Sequence, residues 1–411
     1  MAIAVAGQLL GWLLSVLLAR ELGVDGFEAY AVASALFILM ASIAPLGSEK
    51  YALRLLPGLL ARGEPGTAHG YVRFAARRTL IVAVASGLAV GAVMAAAEQP
   101  LRNAVLVTCL SLPAGALAHL GVEILTAMGQ PTRALLLFRL LVPSIALALA
   151  LLLLPLGLSA AMAVACWGLG WLVAMAAMWL SLKGAVWRAA TPQADAAGWR
   201  LAARPFLVHR LVAALLAQAG VLALELLGSD SAEVGAYAAA VGTVGLAVVL
   251  VTATNRIYGK QMGLLLEAGD AAGLARMHRD RRRWMLPALA LFLIAIFAFS
   301  AQWLRLFRPE FVEVGILPLR LLAISTAVAM LLALAPTRLK YLGESRLLYR
   351  VMAAGALLQL LLLLALVPGW GATGAAAAQL ISTLGMYGAM AIKAGRSRAR
   401  QTHRQKHSST A

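Results

Sequence analysis

The chain is a succession of apolar segments, each about 18–25 residues long and each closed by a short polar connection. Twelve such segments fall near residues 1–18, 30–47, 79–97, 103–127, 134–154, 157–182, 206–227, 235–254, 284–303, 314–336, 347–367 and 371–392. A run of that length crosses the hydrocarbon of a bilayer as a helix, and soluble domains do not repeat it in this way. In lipid, every backbone N–H and C=O must find its partner within the chain, so only helices or closed barrels can span. Ala and Leu dominate and two-residue alternation is weak. The expectation is an all-α polytopic membrane protein with about twelve transmembrane helices. The composition agrees, at 62% hydrophobic and 13% charged, with a mean hydropathy of +0.86.

The connections alternate in charge, and that decides the topology. Of 35 basic residues, only Arg20, Arg102, Arg305, Arg308 and Arg320 belong to the connections after odd-numbered segments. The other 30 lie in the even connections, at the ends of the segments that meet them, or in the tail. By the positive-inside rule the even connections and both termini are cytoplasmic. Most acids outside the segments fall on the opposite side, among them Glu21, Asp25, Glu28, Asp230, Glu233, Glu310 and Glu313. The formal charge of +18 is therefore spread over short membrane-flanking loops, which argues against a nucleic-acid partner. Cys109 and Cys166 lie within apolar segments and read as small packing residues.

The chain is also duplicated. The stretch Arg20-Glu21-Leu22-Gly23-Val24-Asp25-Gly26-Phe27-Glu28-Ala29-Tyr30 has a weaker copy at Leu227-Gly228-Ser229-Asp230-Ser231-Ala232-Glu233-Val234-Gly235-Ala236-Tyr237. Met128-Gly129-Gln130 resembles Leu342-Gly343-Glu344, and Pro155-Leu156-Gly157 resembles Pro368-Gly369-Trp370-Gly371. Six segments per copy is an even number, so both copies keep the same orientation and form parallel repeats. The organisation expected is a six-helix lobe at 1–182, a cytoplasmic linker at 183–205, a second six-helix lobe at 206–392 and a basic cytoplasmic tail at 393–411. Small residues four apart, such as Gly7/Gly11 and Gly87/Gly91, allow close helix packing. Pro113, Pro143, Pro287 and Pro318 lie in or at the ends of segments, where each removes a helical bond and bends or hinges the helix.

Catalytic patterns are missing. There is no phosphate-cradling Gly-Lys-Ser/Thr loop, no His-Glu-x-x-His and no clustered Cys/His set, and no loop is long enough for a nucleotide-sugar domain. The reading is a non-enzyme without metal or cofactor. The informative residues are polar ones at membrane depth, which are costly there and usually face a partner or a cavity. His209, Arg210, Gln218 and Glu225 share segment seven, and His119 and Glu123 lie one turn apart on segment four. Arg139 begins segment five, and Asn255 and Arg256 end segment eight. Two readings stay open for Arg139, Arg210 and Arg256: each snorkels to the interface, or each lines a cationic cavity for an anionic group. Glu123 is either a structural partner of a base or an ion-coupling carboxyl. Gln359 and Gln379 read as interhelical glue.

The Arg20-to-Tyr30 tip, its second copy, the Gly129 and Gly343 turns, the Gly371 segment start and the Leu306-Phe307-Arg308-Pro309-Glu310-Phe311 stretch together resemble the polysaccharide branch of the MOP flippase superfamily. The likeness runs over essentially the whole chain. It implies a MATE/MOP-like two-lobed transporter in a bacterial inner membrane. Such a protein moves an undecaprenyl-pyrophosphate-linked oligosaccharide to the outer leaflet by alternating access, with a polysaccharide polymerase or glycosyltransferases as possible partners. Arg20 is the closest positional carry-over for substrate binding. Arg54, Arg139, Arg210 and Arg256 follow from the charge argument, and Glu123 and Glu225 are the candidates for proton or sodium coupling. One departure from the family is the lack of a basic lead-in before the first segment, which suggests a shortened start. A multidrug antiporter of the related extrusion branch is the alternative, although segment one offers only Gln8 at depth. A non-transporting component of a synthesis complex is the third reading.

Overall fold

A straight helix of 42 residues would be about 63 Å long, twice the hydrocarbon thickness. The computed structural model has such a helix, α1 (Ala2–Ile43), but it is broken at Gly23 (φ 77°), a backbone conformation that glycine takes without strain. The structure describes residues 2–96, 100–182 and 195–408, with backbone alone at 249–254, 256 and 396–408. The contacts of α1 show that it doubles back. Gly7 lies against the Arg139 carbonyl, and Ser42 meets Arg210, whose partner His119 lies within electrostatic reach of Arg139. A straight helix would hold residues 7 and 42 about 52 Å apart. The last helix, α14 (Ser345–Ser408), does the same at Gly371 (φ 48°). There, Gln359 donates to Gln379 at 2.6 Å across the two arms, the interhelical bond expected of these glutamines.

Between these hairpins run α2 (Ser48–Ala61), α3 (Pro65–Met94), α4 (Leu101–Ala127), α5 (Pro131–Leu135), α6 (Val142–Leu153), α7 (Ala160–Leu182), α8 (Ala196–Leu226), α9 (Ser231–Glu267), α10 (Ala271–Ala298), α11 (Ser300–Phe307), α12 (Phe311–Leu331) and α13 (Leu334–Tyr341). Among the described residues, nine helical stretches are long and apolar enough to cross a membrane, or ten with α10 and α11 taken as one span bent by 68°. Dividing two of them at Gly23 and Gly371 gives about the twelve spans that the segments announce. The chain is an all-helical, multi-pass membrane protein. Its outward-facing residues fit lipid: Leu88, Leu110 and Leu226 are 71%, 82% and 78% exposed.

Two compact units emerge, Met1–Leu226 with Asp230–Ala239, and Leu227–Ser229 with Ala240–Ala411. The seventh apolar segment, first of the second repeat, lies with the first unit, where α8 packs on α1 and α2. Of the linker and tail expected from the sequence, 183–194, 409–411 and the side chains of 396–408 lie outside the described residues.

In the first unit, α4 is central, packed by α1, α3 and α7 around Phe37, Tyr71, Leu112, Leu120, Ile124 and Met178. The helix after α5 widens into a π-helix at Leu136–Leu141 before α6 begins. The cause is local. Pro143 has no N–H to give the carbonyl four residues back, which is that of Arg139. The freed carbonyl meets α1 at Gly7, where an added methyl would lie 1.9 Å from the Arg139 oxygen.

In the second unit, Ser325 bonds Thr383 at 3.0 Å, and the buried Arg281 of α10 reaches the end of α12, donating to the Met330 and Leu331 carbonyls (2.8 and 3.1 Å) and to Asn255 Oδ1 (3.2 Å). Helices α9 and α10 run well past their apolar segments to meet at a turn, where Asp270 accepts from the Gly273 N–H at 2.7 Å. Arg320 donates to the Phe297 carbonyl and to Ser300 Oγ, both at 3.1 Å, which holds the bend between α10 and α11. Outside the apolar segments, Arg308 donates to Glu310 at 3.0 Å and holds that carboxyl below its ordinary range.

The packing at Gly7 is testable. Gly7→Ala forces a methyl into the Arg139 backbone and is expected to cost roughly 1–3 kcal/mol, read as a lowered melting temperature in detergent. Gly11→Ala, which meets nothing within 4 Å among the described residues, is expected to stay within about 0.5 kcal/mol of the parent.

Candidate functional site

The site begins where α1 ends. Pro45 cannot donate, and the Leu46 N–H, which a continuing helix would give to Ser42, goes instead to Ile43 at 2.8 Å. Leu46 (φ 53°) and Gly47 (φ 81°) then turn the chain through left-handed conformations. Only glycine fits at 47, because an added methyl would lie 2.4 Å from the Ala203 carbonyl and 2.5 Å from the Leu207 nitrogen of α8. This turn presses the start of α2 against α8 and brings Glu49 and Lys50 under the first unit. Tyr71 of α3 donates to the Ser48 carbonyl and fixes the same point.

Arg210 of α8 fills the gap. Its Nε donates to the Ser42 carbonyl at 3.1 Å, and a terminal nitrogen lies 3.2 Å from His119 Nδ1. A guanidinium only donates, so His119 accepts through Nδ1 and is neutral in this arrangement. The imidazole is wedged between aromatic rings, stacked on Trp171 (centroids 5.5 Å apart, 21° between planes) and edge-on to Phe138 at 4.9 Å. The next residue, Arg139, is exposed on the π-helix, with its guanidinium 5.9 Å from the Phe138 centroid. One turn along α4, Glu123 accepts from Lys50. Glu49 is 1% exposed, with Oε1 3.9 Å from Arg210 Nε.

His119 and Glu123 share a face of α4; the structure brings His119 to Arg210, with Arg139 in electrostatic reach, and Glu123 to Lys50. Glu123 is engaged by a base, the structural partner left open above. Glu225, at the far end of α8, lies in hydrogen-bonding contact with Glu28 of the α1 hairpin. Arg20 is exposed one turn before Gly23, and Arg54 is exposed on α2 one turn after Lys50; neither joins the Arg210 cluster. Arg256 lies in α9 of the second unit, and its side chain is outside those described. The sequence missed Glu49, Lys50 and the Ser42 carbonyl. Glu49 and Lys50 follow a predicted span and look like ordinary loop charges; only the turn at Leu46–Gly47 folds them inward. Among the described residues no group of His, Cys, Asp and Glu could hold a metal ion.

No protein-family model matches the sequence, and no curated protein does. The fold is informative. The chain is similar to a structure described as the inward-facing conformation of a multidrug resistance MATE family transporter of the MOP superfamily, with a TM-score of 0.75 and 14% identity over 95% of this chain and 96% of that one. It is similar to the lipid II flippase MurJ in an inward closed conformation, with a TM-score of 0.70 and 10% identity over 94% and 85%. It is also similar to a MOP superfamily transporter from Pyrococcus furiosus described as having a reversed polarity of its binding pocket, with a TM-score of 0.65 and 16% identity over 97% and 93%. The chain has the fold of MOP-superfamily transporters. Within this MOP fold, the Arg210 cluster gathers three cations, a neutral imidazole and two carboxyls from four helical elements of the first unit. It can hold an anionic oxygen cluster or exchange a proton.

The Lys50–Glu123 pair gives a direct check. Lys50→Met alone leaves a half-buried carboxylate uncompensated and lowers stability. The double variant Lys50→Met/Glu123→Leu is expected to recover part of that loss, with a coupling of roughly 1 kcal/mol in a double-mutant cycle of unfolding.

Proposed function

We propose that this protein is a MOP-type transporter that moves a lipid-linked oligosaccharide, carried on a phosphate-bearing polyprenyl lipid, across a bacterial inner membrane. The carrying observation is the convergence of Arg210 and Arg139 on His119 at the end of α1 that positive-inside topology places toward the cytoplasm. Arginine forks suit phosphate oxygens, and a partly buried setting strengthens each contact. Substrate made in the cytoplasm meets these bases first. Arg20, at the far end of the first span, receives the head group as it leaves. Arg54 and Arg256 remain candidates for the same anionic path.

Direction follows from charge. Each negative charge moved outward across an inside-negative potential gains about 2.3 kcal/mol per 100 mV, so outward movement of an anionic carrier needs no nucleotide hydrolysis. A proton or sodium ion assists through a carboxyl. Glu225 is the better of the two sequence candidates, since the Glu28 carboxyl beside it makes two negative charges there unfavourable and a cation or proton welcome. Glu123 is occupied by Lys50.

The MATE likeness favours a second reading, export of a cationic drug or metabolite by an ion-coupled antiporter. The experiment that separates them is complementation in a strain lacking its own flippase, run beside a cationic-dye efflux assay. The expected result is restored surface glycan and no dye export. Arg139→Ala/Arg210→Ala is expected to abolish the glycan while the protein stays at parental level in the membrane. Normal glycan in that double variant, or dye export by the parent protein, overturns the reading.

A further inference from the structure

Glu49 is the least expected residue of the first unit. It is the second residue of α2, and its side chain is 1% exposed. Among the described residues neither carboxylate oxygen finds a hydrogen-bond partner in another residue. The groups that face it are few. Arg210 approaches from α8 to 3.9 Å, but its Nε already donates to Ser42 and a terminal nitrogen already bonds His119. Lys50, its neighbour on α2, is engaged by Glu123 of α4. Tyr71 of α3 gives its hydroxyl proton to the Ser48 carbonyl. Arg139 reaches the group only through His119. A carboxylate in such a place has one shared cation and no donor from a neighbouring residue, the arrangement in which an ionised group is most costly. The neutral acid carries no such penalty.

We propose that Glu49 is a proton-binding site whose occupancy sets how strongly the Arg210 cluster attracts an anion. With His119 neutral, Arg210, Arg139 and Lys50 stand against Glu123 and Glu49. With Glu49 ionised, the five formal charges leave a net +1; with a proton on Glu49, the net is +2. Arg210 then feels no competing carboxylate 3.9 Å away and offers its guanidinium to an incoming phosphate. Binding of proton and anion reinforce each other, and by linkage the reinforcement is reciprocal. Glu49 acts through Arg210 and is a positioning residue. The anion-binding half of this proposal rests on the transport reading; the proton-binding half does not.

Two measurements on the purified, full-length protein in detergent test it. In infrared difference spectra taken between mildly alkaline and mildly acidic pH, the parent protein is expected to gain a protonated-carboxyl band that Glu49→Gln lacks. Where Glu49→Gln fails to fold, Glu49→Asp serves, with a displaced midpoint for the same band. In titrations with inorganic pyrophosphate, the parent is expected to bind about tenfold more tightly at the acidic pH. Glu49→Gln, a stand-in for the neutral acid, is expected to bind tightly at both. A full band in Glu49→Gln, or an unmoved midpoint in Glu49→Asp, overturns the proton site. A band that belongs to Glu49 with no pyrophosphate binding at either pH keeps the proton site and removes the transport reading. Pyrophosphate binding with the same pH dependence in parent and Glu49→Gln removes the coupling.

Discussion

The bond from the Arg210 guanidinium to the Ser42 carbonyl is what the first unit is arranged around. A helix end leaves carbonyls without helical donors, and inside a bilayer no water replaces them. At the end of α1, Pro45 removes one donor, and the Leu46 N–H bonds Ile43 instead of Ser42. Arg210 supplies the missing donor from another helix and places a positive charge at the negative end of the α1 dipole. That contact requires α8 to approach the turn after α1 closely, which the bare backbone of Gly47 permits. Once α8 is there, its guanidinium also meets His119, and Glu49 is shut in behind it. The unusual chemistry of the site is a consequence of capping one helix.

The same logic accounts for the π-helix. Pro143 leaves the Arg139 carbonyl without its helical N–H, and the helix widens there. The freed oxygen lies against Gly7, a contact of the C–H···O kind that close packing in membranes favours. The widened turn also exposes Arg139 beside Phe138 and His119. Two irregularities in helix geometry thus deliver two of the three bases of the cluster.

The second unit repeats the device in a different place. Arg281 holds the last two carbonyls of α12, and Arg320 holds the Phe297 carbonyl near the end of α10 at its bend. Both are arginines bonded to helix ends at which the chain changes direction. In the first unit the capping arginine also faces an imidazole and a buried carboxyl; the Arg281 donors to Met330 and Leu331 lie beside Asn255 and near Tyr258. That asymmetry sets the cluster of the first unit apart from the arginine caps of the second.

Much of the fold was legible in the chain because the bilayer enforces it. Segment length, charge alternation and the Leu-Gly tips each follow from a local rule, and the hairpins at Gly23 and Gly371 fall where the repeated motifs place them. Gln359 and Gln379 could be named as glue because a buried amide must find another polar group. The site was half legible. Arg139, Arg210, His119 and Glu123 stood out as polar residues within apolar runs, which needs no tertiary information. Glu49 and Lys50 did not, since the residues after a span look like solvated loop charges until a left-handed turn folds them inward. Length, hydropathy and charge bias act residue by residue, so the chain alone already required a protein that crosses the membrane many times as helices. Which charges meet was left to the packing of the helices, because a pairing such as Arg210 with His119 and Glu49 depends on where separate helices end and turn.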